Sequence, residues 1–516
     1  MPHISHKGLE LPQSAIRKLV PFADATKAHG IHVYHLNIGQ PDIETPKAAL
    51  KKLANTKIDV LAYSPSAGIQ SYREKLCQYY KKNGIDITPE RILVTTGGSE
   101  ALQMAFTCCL NPGDEIIIPE PYYTNYNTFA KLCDAKIVTV PSDIKSGFAL
   151  PLVDDFEKYI TPYTRAIMIC NPNNPTGYLY SEKDLYAVGA LCKKYDLYLF
   201  ADEVYREFCY DGEKHFSVLN LPGCENNVVL FDSVSKRYSA CGARVGCVIT
   251  RNSELFSTMM RLAQARLSPP SFGQIFAEAA IDTPQKYFDD VMKEYVSRRN
   301  VIVEGINKIP GCFCPNPKGA FYTVCELPID DSDKFCQWLL TDFSYNGATV
   351  MLAPATGFYS NPEKGRHQVR ITYCLCKEDL RAAIKCLEEA LKVYPGRLKV
   401  KAQGGKKVAA KKAAPAKKAE VKKAAPAKKA EVKKAAPAKK AEVKKAAPAK
   451  KAVAKKAAPA KKAEVKKAAP AKKAVAMKAA PAKKAVAKKA APAKKAEVKK
   501  AAPAKKAVAK KAVAKK

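Results

Sequence analysis

From Asp232 to Gly246 the chain reads Asp-Ser-Val-Ser-Lys-Arg-Tyr-Ser-Ala-Cys-Gly-Ala-Arg-Val-Gly, placing Lys236 among small hydroxyl side chains and Arg244 inside Gly-x-Arg-x-Gly. A lysine that works as an amine nucleophile needs surroundings that discourage its protonation, such as a nearby cation or a desolvated pocket. Ser233, Ser235 and Arg244 together have the donors to cradle a phosphate dianion. The plainer reading is a solvated loop lysine, so the neighbouring motifs have to decide.

Three of those motifs follow apolar runs of strand type. After 166–169 comes Cys170-Asn171-Pro172-Asn173-Asn174-Pro175-Thr176-Gly177, which also reads as turn chemistry with one Asn-Pro bond open to the cis form. After 197–200 comes Ala201-Asp202-Glu203-Val204-Tyr205; an Asp closing an apolar strand is desolvated and needs a partner. After 91–95 comes Thr96-Gly97-Gly98-Ser99, opening a helix to about 110. Strand, glycines and helix N-terminus present free N–H groups and a positive dipole end to a phosphate. Upstream, Asn37-Ile38-Gly39-Gln40-Pro41 forms a loop in which the backbone can approach a ligand closely, and 63–68 forms a second loop opening a helix to about 83.

The elements that must hold these residues alternate. Strands are expected at 115–118, 136–140, 165–169, 197–201, 228–231 and 245–250, with helical stretches between them. That pattern predicts an α/β fold with a mostly parallel sheet covered on both faces and functional residues where strands end. A helix is expected over 13–29 and a strand over 33–36. Towards the C-terminus a long helix over 285–308, strands near 320–325, 349–352 and 368–372, and a helix over 377–394 complete the body.

Asn-Pro-x-Asn-Pro-Thr-Gly, Asp-Glu-x-Tyr about 30 residues on, Ser-x-Ser-Lys about 30 further and then Gly-x-Arg-x-Gly occur in that order. With Asn37 to Pro41 upstream and Val369-Arg370-Ile371-Thr372-Tyr373 downstream, the set resembles class I/II aminotransferases of the aspartate aminotransferase type, over about residues 10–395. The resemblance implies a pyridoxal 5'-phosphate (PLP) cofactor held by Lys236 as an internal Schiff base, with Lys236 also shuttling the substrate proton. It implies Asp202 at the pyridine nitrogen, Tyr205 and Asn174 at the ring oxygen, and Tyr123 stacked on the ring. Phosphate binding falls to Ser233, Ser235, Arg244 and the backbone of Gly98 and Ser99, with Tyr63 reaching in from a second subunit of a homodimer. Arg370 is implied at the substrate α-carboxylate, with Asn174 and the backbone of Gly39 beside it.

The same resemblance implies an N-terminal segment (1–45) joining a small α+β domain (291–397), and a large PLP-binding domain (46–290); residues 398–516 lie beyond it as a tail. The expected reaction is transamination of an L-amino acid, aspartate or a broad range, to a 2-oxo acid such as 2-oxoglutarate. A side-chain carboxylate would call for a further cation; Arg17, Lys18, Arg237, Arg261 and Arg266 are available, while Ser99 stands where some relatives have lysine. Two alternatives use the same residues: a PLP-dependent lyase on this fold, and a nucleoid-associated protein whose enzyme body is a dimeric scaffold.

Composition separates the tail from the body. The 516 residues carry a net charge of +38, but 401–516 holds 42 lysines and five glutamates, leaving 45 basic and 44 acidic groups in the first 400 residues. From Lys411 a Lys-Lys-Ala-Ala-Pro-Ala-Lys-Lys-Ala-Glu-Val unit recurs every eleven residues, with prolines from Pro415 to Pro503. Proline costs about 3 kcal/mol inside a helix and the unit offers little to bury, so a disordered tail is expected. It resembles the tails of linker histones and bacterial histone-like proteins, and its charge predicts DNA or RNA binding without sequence choice. All 17 cysteines lie in the body; the pairs Cys312/Cys314 and Cys374/Cys376 would share a face if they sat in strands, which favours packing over a metal site. No apolar run reaches the ~18 residues of a membrane span, which makes the cytoplasm the expected compartment, with a nucleoid location open through the tail.

Overall fold

A computed structural model describes residues 2–399 of the chain. The lysine-rich repeat and its expected disorder lie outside the described residues.

Eight strands belong to the sequence between the two ends of the body: β1 (His32–His35), β2 (Ile92–Thr95), β3 (Glu115–Glu120), β4 (Lys136–Pro141), β5 (Thr164–Cys170), β6 (Tyr198–Asp202), β7 (Val228–Ser233) and β8 (Gly246–Ile249). Seven of them form one sheet in the order β2-β8-β7-β6-β5-β3-β4. All its pairs are parallel except those of β8, which runs antiparallel to both β2 and β7. This is an α/β fold with a mostly parallel central sheet, as the alternation of apolar runs and helical stretches predicts.

Alternate side chains of these strands enter two separate apolar layers. Val94, Ile117, Ile167, Leu199 and Leu230 pack on one face, and Leu93, Ile116, Met168, Phe200 and Val229 on the other. A sheet buried on both faces needs apolar residues at every position, which is why these strands read as continuous runs.

Four strands follow: β9 (Tyr322–Glu326), β10 (Ala348–Met351), β11 (Ala353–Pro354) and β12 (Gln368–Thr372). β12 lies between β11 and β9, antiparallel to both, with Arg370 opposite Val324 and Ala353. β1 pairs in parallel with β10, so the N-terminal segment packs with the C-terminal strands. The 24-residue helix Gln285–Lys308 and the helix Lys377–Val393 cover this second core.

The expected helix over 13–29 is corrected to Val20–Ala28, preceded by a turn at 15–19. Pro21 is the reason: proline fits the first helical turn but in a helix interior removes a hydrogen bond and collides with the preceding turn. The cysteine pairs are corrected too, since neither lies in a strand; Cys314 and Cys374 are buried beside half-buried Cys312 and Cys376. Asn171–Pro172 is a cis peptide, and so is Glu120–Pro121. Among the described residues no helix is long and apolar enough to cross a membrane.

Candidate active site

The sheet register lines up strand ends that are far apart in sequence. Cys170 faces Asp202 across β5 and β6, while Ser233 faces Gly246, which also faces Thr95. Three motifs following β5, β6 and β7, together with the glycine loop after β2, therefore open on one edge. A cavity of about 500 Å³ lies there, of the size that holds a small cofactor. Gly39, Gly98, Ser99, Tyr123, Asn174, Asp202, Tyr205, Ser233, Ser235, Lys236, Arg244 and Arg370 all border it. Tyr63 does not, and stands 77% exposed.

Lys236 sits on a single helical turn, Val234–Arg237, capped by the Ser233 hydroxyl. Its neighbour Arg237 points the other way and is buried, donating to both oxygens of Asp232 at 2.8 and 2.6 Å and to Glu207 at 2.6 Å. Burial alone would raise the Asp232 pKa, but the charges of Arg237 and Arg206 outweigh it and hold the carboxyl below its ordinary range. The ion pair anchors the turn and leaves Lys236 facing the cavity. Its Nζ donates to the carbonyl of Gly39 at 2.8 Å and lies 3.7 Å from the Cys241 thiol. Gly39 has no alternative here, because a Cβ would stand 1.7 Å from the Tyr322 hydroxyl oxygen.

Asp202 ends β6 with 6% of its surface exposed. Oδ2 accepts from the Tyr126 hydroxyl at 2.9 Å, Oδ1 accepts weakly from the Val204 amide at 3.3 Å, and no cation among the described residues forms an ion pair with it. Burial raises its pKa to about 6. Such a carboxyl gains most from a cationic ligand atom.

Arg370 is 1% exposed and has no acidic partner among the described residues. It donates to Asn174 Oδ1 at 3.0 Å and to the Asn37 carbonyl, lies over the Tyr322 and Phe358 rings, and leaves Nε without a partner. Burial pulls its pKa down, the cost of desolvating a cation. A carboxylate arriving here meets a planar fork already stripped of water.

At the other end of the cavity the helix Gly98–Cys109 points its N-terminus inward. Arg244 holds the left-handed conformation at φ 52° and donates to Cys241 and Thr96 carbonyls. A Cβ on Gly97 would meet its guanidinium at 2.4 Å, and one on Gly246 would meet the backbone of Gly97 and Gly98 at 2.6 and 2.7 Å. Both glycines keep backbone donors, hydroxyls and guanidinium close enough to surround one phosphate. An amine, an unpaired buried carboxyl and an anion cradle thus fit PLP.

Sequence reasoning missed Tyr126, Tyr322 and the place of Arg17. The Tyr322 hydroxyl lies 3.0 Å from that of Tyr205, and Asn174 Nδ2 reaches Tyr205 at 3.5 Å. Neither tyrosine belongs to a motif with polar spacing, so only their contacts distinguish them from core aromatics. Among the cations left open, Lys18 pairs with Asp333, Arg237 with Asp232, and Arg266 with Glu100 at 2.7 Å. Arg17 borders the cavity.

A model of the family described as aminotransferase class I and II matches residues 31–387, and the chain belongs to that family. It is 34% identical over 396 residues to an aspartate aminotransferase of Pyrococcus horikoshii, covering 75% of this chain and 97% of that one. An aromatic-amino-acid aminotransferase 2 of Thermococcus litoralis is 32% identical over 388 residues, covering 73% of this chain and 96% of its own length. The fold is similar to that of Thermus thermophilus aspartate aminotransferase with maleate, at a TM-score of 0.68 and 27% identity, over 76% of this chain and all of that one. The protein is thus a PLP-dependent enzyme of amino-group transfer from an amino acid to a 2-oxo acid.

Proposed function

We propose that the donor is L-aspartate or a broader range of L-amino acids, that 2-oxoglutarate is the acceptor, and that the cavity residues divide the work as follows. The observation that carries this reading is the opening onto one cavity of Lys236, Arg370 and Asp202, the last two without an ion-pair partner among the described residues.

PLP, when bound, supplies an electron-withdrawing ring that stabilises negative charge at the substrate α carbon. Lys236 would hold the cofactor, and its Nζ would take the α proton of the substrate. Asp202 would pair with the ring nitrogen, Tyr205 and Asn174 would hydrogen-bond the ring oxygen, and Tyr123 would stack on the ring. Ser233, Ser235, Arg244 and the amides of Gly98 and Ser99 hold the phosphate. Arg370 fixes the α-carboxylate, with Asn174 and the Gly39 backbone beside it. The small domain, 1–45 with 291–397, closes on the large one, 46–290, to exclude water.

Incubating the protein with L-aspartate and 2-oxoglutarate should yield glutamate. A lyase would instead release ammonia from the donor without an acceptor, and that outcome overturns the reading. Asp202 gives a pH signature. Its carboxyl, at about 6 before the cofactor binds, must be ionised to pair with a protonated ring nitrogen. Affinity of the apoenzyme for PLP should therefore fall as pH drops below about 6, and Asp202→Asn should remove that component of the profile. A profile unchanged in the variant would assign it to another group.

We further propose a homodimer that brings Tyr63 to a neighbour's phosphate, and polyanion binding by 401–516. Exposed Val60, Leu61, Tyr63, Leu267 and Phe272 support the first, and the lysine repeat supports the second. Such a tail would tie a cytoplasmic enzyme to the nucleoid. Sedimentation of the full chain, and of one cut after residue 400, tests both. Monomeric mass sinks the dimer, and DNA retained by the shortened chain at moderate salt sinks the tail.

A further inference from the structure

Tyr238 and Glu207, the chain neighbour and the partner of Arg237, border a second cavity, of about 1080 Å³. The rest of its wall comes from three stretches, 79–85, 206–220 and 281–292. It shares no lining residue with the cavity that Lys236 faces. The turn Val234–Arg237 therefore stands between two spaces, with Lys236 on one side and the Arg237 ion pairs on the other.

The wall of the second cavity holds buried polar atoms that the protein does not satisfy. Arg206, with 3% of its side chain exposed, donates one nitrogen to Glu203, lies over the Tyr80 ring and leaves Nε and Nη1 without partners. Glu207 accepts from Arg237 through Oε1 at 2.6 Å, and its buried Oε2 accepts from nothing. His215 Nε2 is also without a hydrogen bond, 3.6 Å from the Glu203 carboxylate. Buried polar groups in folded proteins almost always find a partner. Arg206 can only donate and the Glu207 carboxylate can only accept, so a single ligand that satisfies both must carry an acceptor and a donor. Phe216, Ile281, Phe288 and Met292 supply an apolar wall beside them. The remaining charges at the cavity are of both signs, Lys82 and Lys214 against Glu213 and Asp282, which favours neither a bare anion nor a bare cation.

We infer that this cavity is a second amino-acid site, separate from the catalytic one, in which Arg206 receives the carboxylate of a zwitterion, Glu207 its ammonium group, and the apolar wall its side chain. The charge-assisted pairs on the two polar residues fix the backbone of the ligand. The four apolar side chains select a hydrophobic amino acid over a charged one. Because Glu207 also holds Arg237, the ligand lies one contact away from the turn that carries Lys236.

The test is equilibrium dialysis of the PLP-loaded full chain against α-methyl-L-phenylalanine, an apolar zwitterion with no α proton to lose, beside a titration of the bound cofactor's visible absorbance. Binding in the catalytic cavity reports itself through the cofactor, so one molecule per chain should bind without changing the absorbance. Arg206→Met should weaken that silent molecule about 10- to 100-fold, the worth of a charge-assisted hydrogen bond. Asn220→Trp should remove it by filling the cavity from an exposed position whose side chain makes no hydrogen bond among the described residues, so the answer does not depend on how well Arg206→Met folds. Both variants should keep the parent's absorbance titration. 3-Phenylpropanoate, which lacks the ammonium group, and 2-phenylethylamine, which lacks the carboxylate, should bind there at least about 10-fold more weakly. No silent molecule in the parent, which means a cavity filled by water only, overturns the site. Silent binding unchanged in Asn220→Trp, or phenylpropanoate held as tightly as the amino acid, overturns it too. The transfer reaction is tested separately by glutamate formation and stands or falls without this site.

Discussion

Lys236→Ala is expected to lower kcat/KM for transamination by about 10⁴-fold or more, because one amine serves as both the cofactor's holder and the base at the α carbon. The anchor of the turn is elsewhere: Arg237 with Asp232 and Glu207 keeps Val234–Arg237 in place whatever residue 236 is. Circular dichroism and melting should accordingly match the parent protein. Loss of the bound cofactor's visible absorbance should accompany the loss of rate. An active variant with unchanged absorbance would remove Lys236 from the chemistry altogether.

Arg370→Ala is expected to cost about 10³-fold in kcat/KM, within the ~2–5 kcal/mol typical of truncating one partner of a buried charge pair. The loss should be alike for aspartate and alanine, because every amino acid brings an α-carboxylate. Steady-state kinetics with both donors checks this. A loss confined to aspartate turnover in Arg370→Ala would remove Arg370 from the α-carboxylate.

The order of the motifs made the site legible before its geometry. Each motif follows an apolar run, and a parallel sheet brings the C-terminal ends of its strands to one edge; Asp202, Ser233 and Asn174 meet there for that reason. The helix boundary at Val20 was open to reading as well, since Pro21 is visible, but apolar spacing over 13–29 masked it. Five arginines and lysines looked equivalent in sequence. Three of them are paired, Lys18 with Asp333, Arg237 with Asp232 and Arg266 with Glu100, and two of these partners lie 315 and 166 positions away, where pairing leaves no local signal.

What the sequence determined by itself is the α/β class, from strands apolar at every position, and the kind of chemistry, from a lysine, an aspartate and an arginine in ordered motifs. It also separated Lys236, the lysine proposed to hold the cofactor, from the 42 of the tail. Tertiary structure alone decided which charges are spent and which are free. Arg370 is buried without an acid, Asp202 without a cation, and Arg17 stands at the cavity with neither hydrogen bond nor ion pair among the described residues. Charge is written in composition, but its availability depends on distances across the fold, because a paired ion is neutralised locally and an unpaired one awaits a ligand.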